Sequence, residues 1–322
     1  MDARVCLGGG NCLNASALAA LHHVRWPEAS DQDPFRRCCH CDTYNGSTAD
    51  YKVVRRCSNS AAEEMYFVSS LLPFLRFPPD HQPTFVELGG NNGLHASNTL
   101  YLEHCLHWRG VMLEGHPEYI KHMWGHRPGL ITIGSAVCSS RQVARMAPMA
   151  ETNSAVIEGE APADRPMLLT PCAPLKDFFA PLGLGHIDLL SVDVEGHELI
   201  VLESIDWSQT AVATVIVEEF QYKGRTAADK AKNERNGQVK DLMHRLGYER
   251  ALRHCFTPYP NICDHYYVHP SWYDVPRLRS FLESEEKSPK KWENGISKHG
   301  TERLVWPARP QDQCVHRGSP TG

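Results

Sequence analysis

The chain lacks long hydrophobic runs, an excess of basic residues and any internal repeat. No apolar stretch approaches the roughly 20 residues that span a bilayer, and the opening MDARVCLGGGNC has neither the basic region nor the apolar core of a signal peptide. A formal net charge of -5 over 322 residues gives no general positive field for nucleic acid. We therefore expect a soluble globular protein with no membrane span and no nucleic-acid partner.

Cysteine is plentiful, with 12 residues in all. Six of these cysteines lie near the start of the chain: Cys6, Cys12, Cys38, Cys39, Cys41 and Cys57. They would suit either a disulfide-bonded extension in an oxidising compartment or, through Cys38-Cys39-His40-Cys41 and Cys57, a zinc ion. Disulfides or free thiols are favoured, because zinc sites usually show a second close ligand pair. The composition favours the cytoplasm, and the cysteine content leaves the secretory pathway open.

A glycine-rich turn follows a short apolar strand in FVELGGNNG, residues 85–93. The strand contains an acid, Glu87, and the turn holds Gly89, Gly90 and Gly93. This order, followed by a helical stretch, is how nucleotide-binding α/β folds begin. Glycine at these positions lets the backbone approach a ligand where a Cβ would collide. The turn is therefore predicted to bind a ligand.

The next apolar strand, GVMLEG, ends at Glu114. A carboxylate there can accept hydrogen bonds from the two ribose hydroxyls of a nucleoside, which predicts adenosine binding. The glycines do not follow G-x-G-x-x-G, and the turn has Asn91-Asn92 and no basic residue, which argues against a pyrophosphate and hence against a nicotinamide dehydrogenase. S-adenosylmethionine suits this turn better. An ordinary strand-turn-helix with glycines for tight packing is the structural alternative.

Helical and strand patterns alternate through most of the chain. Helices are predicted at 61–77, 97–107, from 117, at 175–182, 198–205 and from 236 to 246, and strands at 85–88, 110–114, 130–137, 186–194, 213–220, 248–256 and 263–269. Residues 139–170 show no period and are predicted to form a loop or lid. The alternation predicts an α/β fold, a seven-stranded, mostly parallel sheet with helices on both faces and a closing antiparallel strand pair.

Four segments resemble the FkbM-type methyltransferases, which depend on S-adenosylmethionine. They are FVELGGNNGLHASNTLYLE from Phe85, WRGVMLEGHPE from Trp108, TPCAPLKDFF from Thr170 and HIDLLSVDVEGHELIVLESIDW from His186. The resemblance implies a class I methyltransferase (Rossmann-like) domain at 61–270, between a Cys-rich irregular extension at 1–60 and a charged, partly disordered segment at 271–322. It also implies O-methylation of a hydroxyl on a sugar, glycan or natural-product-like small molecule. A catalytically silent binding or scaffold protein with the same fold is the alternative.

An acidic cluster follows the strand that ends near Val194. Asp193, Glu195 and His197 lie together there, at the edge where ligands bind in open α/β sheets. His197 is the preferred general base because its ordinary pKa lies near working pH. A solvent-facing position at a helix start is the alternative for His197. All three residues are predicted to be catalytic.

The neighbouring strand ends in Glu218-Glu219, which places hard oxygen donors beside Asp193. Asp193, Glu218 and Glu219 would suit a magnesium ion that stabilises the developing alkoxide. Solvated strand-end glutamates are the alternative. The predicted S-adenosylmethionine site comprises Glu87, Gly89, Gly90, Asn91, Gly93, Asn98, Glu114, Ser135, Ala136 and Asp193.

Overall fold

A mostly parallel sheet lies at the centre of the computed structural model, which describes residues 4–7, 11–14, 23–25, 60, 63–148, 154–156, 167–221, 223, 226–255 and 261–286. Its strands are β3 (His23–Arg25), β4 (Thr84–Leu88), β5 (Arg109–Glu114), β6 (Ile131–Gly134), β11 (His186–Val192), β12 (Ala211–Phe220), β13 (Glu249–Cys255) and β14 (Ile262–Val268). Their spatial order is β13-β14-β12-β11-β4-β5-β6-β3. Residues 84–268 thus supply the seven predicted strands, and the prediction of this fold is confirmed.

The strand directions also match the expectation. Five neighbouring strands, β6, β5, β4, β11 and β12, run parallel, whereas β14 is antiparallel to both β12 and β13. The N-terminal extension adds β3 antiparallel to β6, which makes eight strands. The extension also contains a hairpin of β1 (Arg4–Leu7) and β2 (Asn11–Asn14). The suggested zinc ligands, residues 38–41 and 57, lie outside the described residues.

A second, smaller sheet occupies much of the region that was predicted to be a loop or lid, and that prediction is wrong in this respect. It consists of β7 (Ala136–Val137), β8 (Gln142–Pro148), β9 (Ser154–Val156) and β10 (Leu168–Ala173), in the order β7-β10-β8-β9. The alternation in β8 is short and places Val143 outward at 67% exposure while Ala144 is buried. Such a brief pattern beside several prolines gave no recognisable strand period.

Seven helices lie within the described residues. They are α1 (Glu63–Tyr66), α2 (Leu100–His104), α3 (Pro117–His126), α4 (Leu175–Leu182), α5 (Glu198–Glu203), α6 (Ala227–Arg245) and α7 (Val275–Glu286). The predicted helix at 61–77 is α1, a π-turn at Phe67–Leu71 and a 3-10 turn at Leu72–Phe74. Much of the charged stretch expected before α6 belongs to that helix. No helix among the described residues is long and apolar enough to cross a membrane.

Strand alternation produces two cores, one on each face of the central sheet. Val86 and Leu88 of β4 join one core with α4, α5 and α6, while Phe85 joins the other core with α2, α3 and the segment 66–71. Leu278 of α7 is also buried in this second core. Successive side chains on a strand point to opposite faces. The apolar strands are therefore covered on both sides, as expected for a parallel sheet.

Two disulfides connect strands within the part of the chain that the structure describes. Cys138–Cys172 links the residue after β7 to β10, and Cys255–Cys263 joins β13 to β14. The first bridge spans 34 residues of sequence, whereas the second spans 8. Cross-linking a longer loop removes more entropy from the unfolded chain. The Cys138–Cys172 bridge should therefore stabilise the domain more.

We expect replacement of Cys138 and Cys172 by alanine to lower the free energy of unfolding by about 3 to 4 kcal/mol, the value for a loop of this length. Chemical denaturation under non-reducing conditions measures the change. The double variant at Cys255 and Cys263 is the matched control and should lose less. Alkylation of Cys138 and Cys172 in the unreduced, denatured protein would contradict the bridge.

Candidate cofactor and active site

The glycine turn begins where β4 ends, between β5 and β11. Because the chain proceeds to β5 on one side and returns to β11 on the other, the carboxyl ends of β4 and β11 form the crevice where open α/β sheets bind ligands. Gly89 has φ +77°, and a Cβ there would lie 1.8 Å from the carbonyl oxygen of Asp193. A Cβ on Gly90 would lie 2.5 Å from Met112 Cε. Gly89 therefore requires glycine because rigid backbone lies against it, whereas a Cβ at Gly90 would require the flexible end of Met112 to move.

A buried arginine holds the turn in place. Arg127 has 0% exposure and follows α3. Its guanidinium donates to the Gly93 carbonyl at 3.0 Å, to Ser97 Oγ at 2.9 Å and to the Thr99 carbonyl at 3.2 Å. Its Nε donates to the carboxylate of Glu103 on α2. The guanidinium thus joins the end of the turn at Gly93 to helix α2, while Arg127 itself follows α3.

Glu87 lies under the same segment and is 2% exposed. Its carboxylate accepts hydrogen bonds from the Asn98 backbone N–H at 2.7 Å and Ser97 Oγ at 3.0 Å, and from the hydroxyl of Thr99. The side chain of Asn98 donates to Ser191 Oγ of β11 at 3.1 Å. The structure therefore brings Glu87 and Asn98 together as a support beneath the turn. The hydrogen bonds of Glu87 thus fix the segment 97–99 that follows the turn.

Glu114 lies beside the turn at the end of β5. Its carboxylate accepts hydrogen bonds from the backbone N–H of Asn91 at 2.8 Å and of His116 at 2.7 Å. Burial raises its pKa to about 7, although these hydrogen bonds lower it. Asn91 has φ +49°, an uncommon conformation for a residue with a Cβ. The carboxylate thus holds the strained end of the turn while lying at the crevice.

Ser135 and Ala136 follow β6 and have structural contacts of their own. Ser135 is 1% exposed, and its hydroxyl donates to the carbonyl of Pro171 on β10 at 2.9 Å. A Cβ on Gly115 would lie 3.2 Å from Ala136 Cβ. Ala136 therefore packs beside the residue that follows Glu114, while Ser135 ties the central sheet to the small sheet.

The loop after β11 contains the three predicted catalytic residues. Glu198, in the first turn of α5, accepts the Gly196 N–H at 2.8 Å and the Val194 N–H at 3.4 Å. Glu195 has φ +58°, so this loop holds a non-glycine residue in the left-handed region. His197 precedes α5 and is 8% exposed. The loop is therefore shaped by its own acid, Glu198, which sequence reasoning had not singled out.

Acidic side chains continue from this loop across the sheet. Asp193 and Glu218 lie in direct hydrogen-bond contact, and Glu218 is paired across β12 and β14 with Asp264. Burial and neighbouring carboxylates raise the pKa of Asp193 and Asp264, with Glu218 and Glu63 respectively contributing most of the charge effect. Burial, followed by the charge of Glu195, raises the pKa of Glu218 to about 8. Glu218 therefore retains its proton near neutral pH.

Glu219 lies apart from this carboxylate row. Adjacent strand residues point to opposite faces, and Glu219 Oε2 lies 3.3 Å from His265 Nε2 on the other face of the sheet. The structure brings Asp193 and Glu218 together but leaves Glu219 outside the suggested magnesium set. A small open cleft lies between β12 and α6, bordered by Glu198, Glu218 and Asn236.

Several supporting residues were missed from the sequence. Arg127 and Glu103 lie on separate helices, and no local motif links them. Ser97 and Thr99 could be recognised only as helix-start residues. Glu198 falls within the motif that begins at His186. It could have been recognised there as an acid in the first turn of a helix, where a carboxylate can accept hydrogen bonds from the preceding backbone N–H groups.

The family model described as the methyltransferase FkbM domain matches residues 87–250, just over half of the chain. No protein of curated function is significantly similar. Similar solved structures include an O-methyltransferase from Bacillus cereus in complex with SAH, at 8% identity, covering 74% of this chain and 93% of that one with a TM-score of 0.40. Another is the fibrillarin pre-rRNA processing protein of Methanococcus jannaschii, at 10% identity, 66% and 76% coverage and a TM-score of 0.38. The extent of the family match shows that the chain belongs to the FkbM family of methyltransferases, whose methyl donor is S-adenosylmethionine.

Proposed function

We propose that this chain is an O-methyltransferase that transfers the methyl group of S-adenosylmethionine to a hydroxyl of a small molecule, in particular a sugar, glycan or natural product. The observation that carries the proposal is the contact between Asp193 and Glu218 beside Gly89. A hydroxyl is a poor nucleophile, and a positioned base that accepts its proton contributes typically 10²- to 10⁴-fold. The carboxylate pair is such a base.

The residues of the crevice fit the cofactor. Glu114 lies with both carboxylate oxygens already oriented by backbone N–H groups, so it is arranged to receive the ribose hydroxyls. Gly89, Gly90 and Gly93 form the floor on which the amino-acid end would lie, with Asn91 beside it. Ser135 and Ala136 would lie near the adenine. When bound, the cofactor supplies an electrophilic methyl group on a sulfonium.

The protein's own part in the reaction is to orient the acceptor and take its proton. Asp193 is the proposed base, because its backbone packs directly on Gly89. Glu218 shares the proton with Asp193 and so sets its basicity. Glu195 adds negative charge that favours a positive sulfonium, and His197, buried in the same loop, is the second proposed base. In-line alignment of acceptor and methyl group supplies the larger share of the rate enhancement.

The proposal does not require magnesium. With Glu219 turned to the other face, only Asp193 and Glu218 of the suggested ligands lie together, and these are the residues assigned to proton transfer. Added Mg²⁺ is therefore expected to leave the initial rate unchanged. Stimulation by Mg²⁺ would reassign the two carboxylates as metal ligands.

The charge of the chain and its disulfides restrict the range of acceptor molecules that we propose. The net charge of -5 and the carboxylate row disfavour a polyanionic acceptor such as nucleic acid. The two disulfides support a location in an oxidising compartment rather than the cytoplasm favoured from composition. A neutral glycan hydroxyl is compatible with both observations.

The reaction is tested by incubating the full chain with methyl-labelled S-adenosylmethionine and a panel of neutral sugars, glycans, phenols and amines. We expect label in a base-stable methyl ether and no label on amines. Titration with NAD in parallel should show no binding. Tight S-adenosylmethionine binding without turnover on any acceptor, and without effect of Asp193→Asn or His197→Ala, would favour a silent binding protein instead.

Replacement of Glu114 by alanine should weaken S-adenosylmethionine binding by about 1.5 to 3 kcal/mol, the range for hydrogen bonds to a charged group. Calorimetric titration gives the dissociation constant directly. Glu118→Ala, which removes an exposed carboxylate from the following helix, is the matched control and should bind normally. An unchanged dissociation constant for the Glu114 variant would refute the ribose assignment.

Glu218 should make stability and activity depend on pH in opposite directions. Its folded pKa of about 8 lies above the ordinary value of 4.5, so between these two pH values the native state holds a proton that the unfolded chain has lost. The contribution of Glu218 to the free energy of unfolding is therefore fully present below about pH 4.5 and is lost as the pH rises through about 8. Activity should rise over the upper part of this range, as the carboxylate pair loses its proton.

Glu218→Gln tests both trends. Urea denaturation at several pH values should show a flatter dependence and greater stability at pH 8 than in the wild type, while kcat should fall by about 10²- to 10⁴-fold. Glu203→Gln, a change on the adjacent helix α5 outside the row, should alter neither property. A Glu218 variant with wild-type kcat would remove the carboxylate pair from the mechanism.

A further inference from the structure

Two histidines and an aspartate converge at the edge of the sheet opposite the cofactor crevice. His81 lies in the loop before β4, and His186 and Asp188 lie at the start of β11. One ligand atom from each lies within 4.8 Å of the other two, and among the described residues no other such group of three occurs. The site is therefore separate from the glycine turn and from the residues proposed for catalysis.

The imidazoles both direct Nε2 toward the same carboxylate. His81 Nε2 lies 2.8 Å from Asp188 Oδ2 and 3.0 Å from Oδ1, and His186 Nε2 lies 3.0 Å from Oδ1. In a tetrahedral zinc site with bonds of about 2.0 to 2.1 Å, neighbouring ligand atoms lie roughly 3.3 Å apart. An ion would therefore lengthen these nitrogen–oxygen distances by about 0.3 to 0.5 Å.

The carboxylate is oriented before any ion binds. Thr84 donates its backbone N–H to Asp188 Oδ2 at 2.8 Å and its hydroxyl to the same oxygen at 3.3 Å. The Asp188 side chain is 2% exposed, whereas those of His81 and His186 are 18% and 21% exposed. Contacts that orient a ligating carboxylate are typical of metal sites. The two imidazoles are therefore partly accessible to solvent, whereas the carboxylate is buried.

Aromatic rings hold both imidazoles. The Trp272 ring centroid lies 4.2 Å from that of His186, and Phe77 stacks on His81 with centroids 5.6 Å apart. Trp272 belongs to the 3-10 turn at Pro270–Trp272 that precedes α7. The Trp272 carbonyl also accepts the Arg76 N–H at 2.8 Å. Three chain segments therefore meet at this cluster.

We infer that His81, His186 and Asp188 form a zinc site that fastens the loop before β4 and the turn before α7 to the start of β11. Two imidazole nitrogens and one carboxylate are the ligand types that favour Zn²⁺ over the oxygen-seeking Mg²⁺ and Ca²⁺. The set carries one negative charge, so a bound Zn²⁺ with water in the open position leaves a net charge of one. The role is structural, because the site lies at the amino ends of the strands.

The test uses the full chain, freed of metal by a chelator that is then dialysed away. Co²⁺ serves as the spectroscopic substitute for Zn²⁺. Binding at the proposed site gives visible d–d bands without a thiolate-to-cobalt charge-transfer band, whereas binding by cysteines gives both. The wild-type spectrum therefore separates this site from any cysteine site without the need for a variant.

The variants His81→Gln and His186→Gln keep an N–H that can donate to Asp188 but remove the ligating nitrogen. We expect each to lose the d–d bands and to bind Zn²⁺ at least about tenfold more weakly, a loss seen even when an outer partner is removed. Zn²⁺ should raise the thermal midpoint of the wild type and not that of these variants. S-adenosylmethionine binding should be unchanged in both.

His122→Gln is the matched control, because His122 is an exposed histidine on α3. It should retain the wild-type spectrum and Zn²⁺ affinity. Cobalt bands of thiolate type only, or equal Zn²⁺ affinity and stoichiometry in the wild type and the His81 and His186 variants, would overturn the inference. In that outcome the three residues form a hydrogen-bonded tether and nothing more.

Discussion

The buried guanidinium of Arg127 is the interaction on which the position of the glycine turn depends. It joins the Gly93 carbonyl, Ser97 and Thr99 to Glu103, and these partners lie on the turn and on the helix that follows it. An arginine with 0% exposure is tolerated only when its charge is paired and its donors are used. One guanidinium therefore holds both the turn and the helix that follows it. The glycines of the turn need no side chains to fix their position, because Arg127 and its partners fix it.

The crevice also contains groups that do not favour folding. Asp193, Glu218 and Asp264 lie together with raised pKa values because of burial and mutual repulsion. Stability alone would select apolar residues at these positions. Perturbed carboxylates that lie beside a ligand crevice are typical of functional sites. The strained backbone of Glu195 in the same loop is consistent with this interpretation.

The carboxyl and amino ends of the parallel strands, which form two edges of the sheet, carry different groups of side chains. The glycine turn and the acids lie at the carboxyl edge, where Glu87 accepts a hydrogen bond from the segment that follows the turn. At the amino edge, aromatic rings pack against His81 and His186. A tether at the amino edge restrains the strands without adding bulk to the crevice. The proposed cofactor site and the cluster of His81, His186 and Asp188 thus lie at opposite ends of the same strands.

The sequence alone determined the central sheet and its helices, because strand and helix periods are local properties, and its glycines and acids predicted where a ligand crevice would lie. Phe85–Gly93, Glu114 and the acids after β11 could all be recognised in this way. Tertiary structure alone decided which side chains meet: Arg127 with Gly93, Glu218 with Asp193, Glu219 with His265, and His81 with Asp188. These partners are far apart in sequence or on opposite strand faces, and their contacts depend on register and helix packing. The small sheet at 136–173 was missed for the same reason, since its short strands are stabilised by pairing with one another rather than by a period of their own.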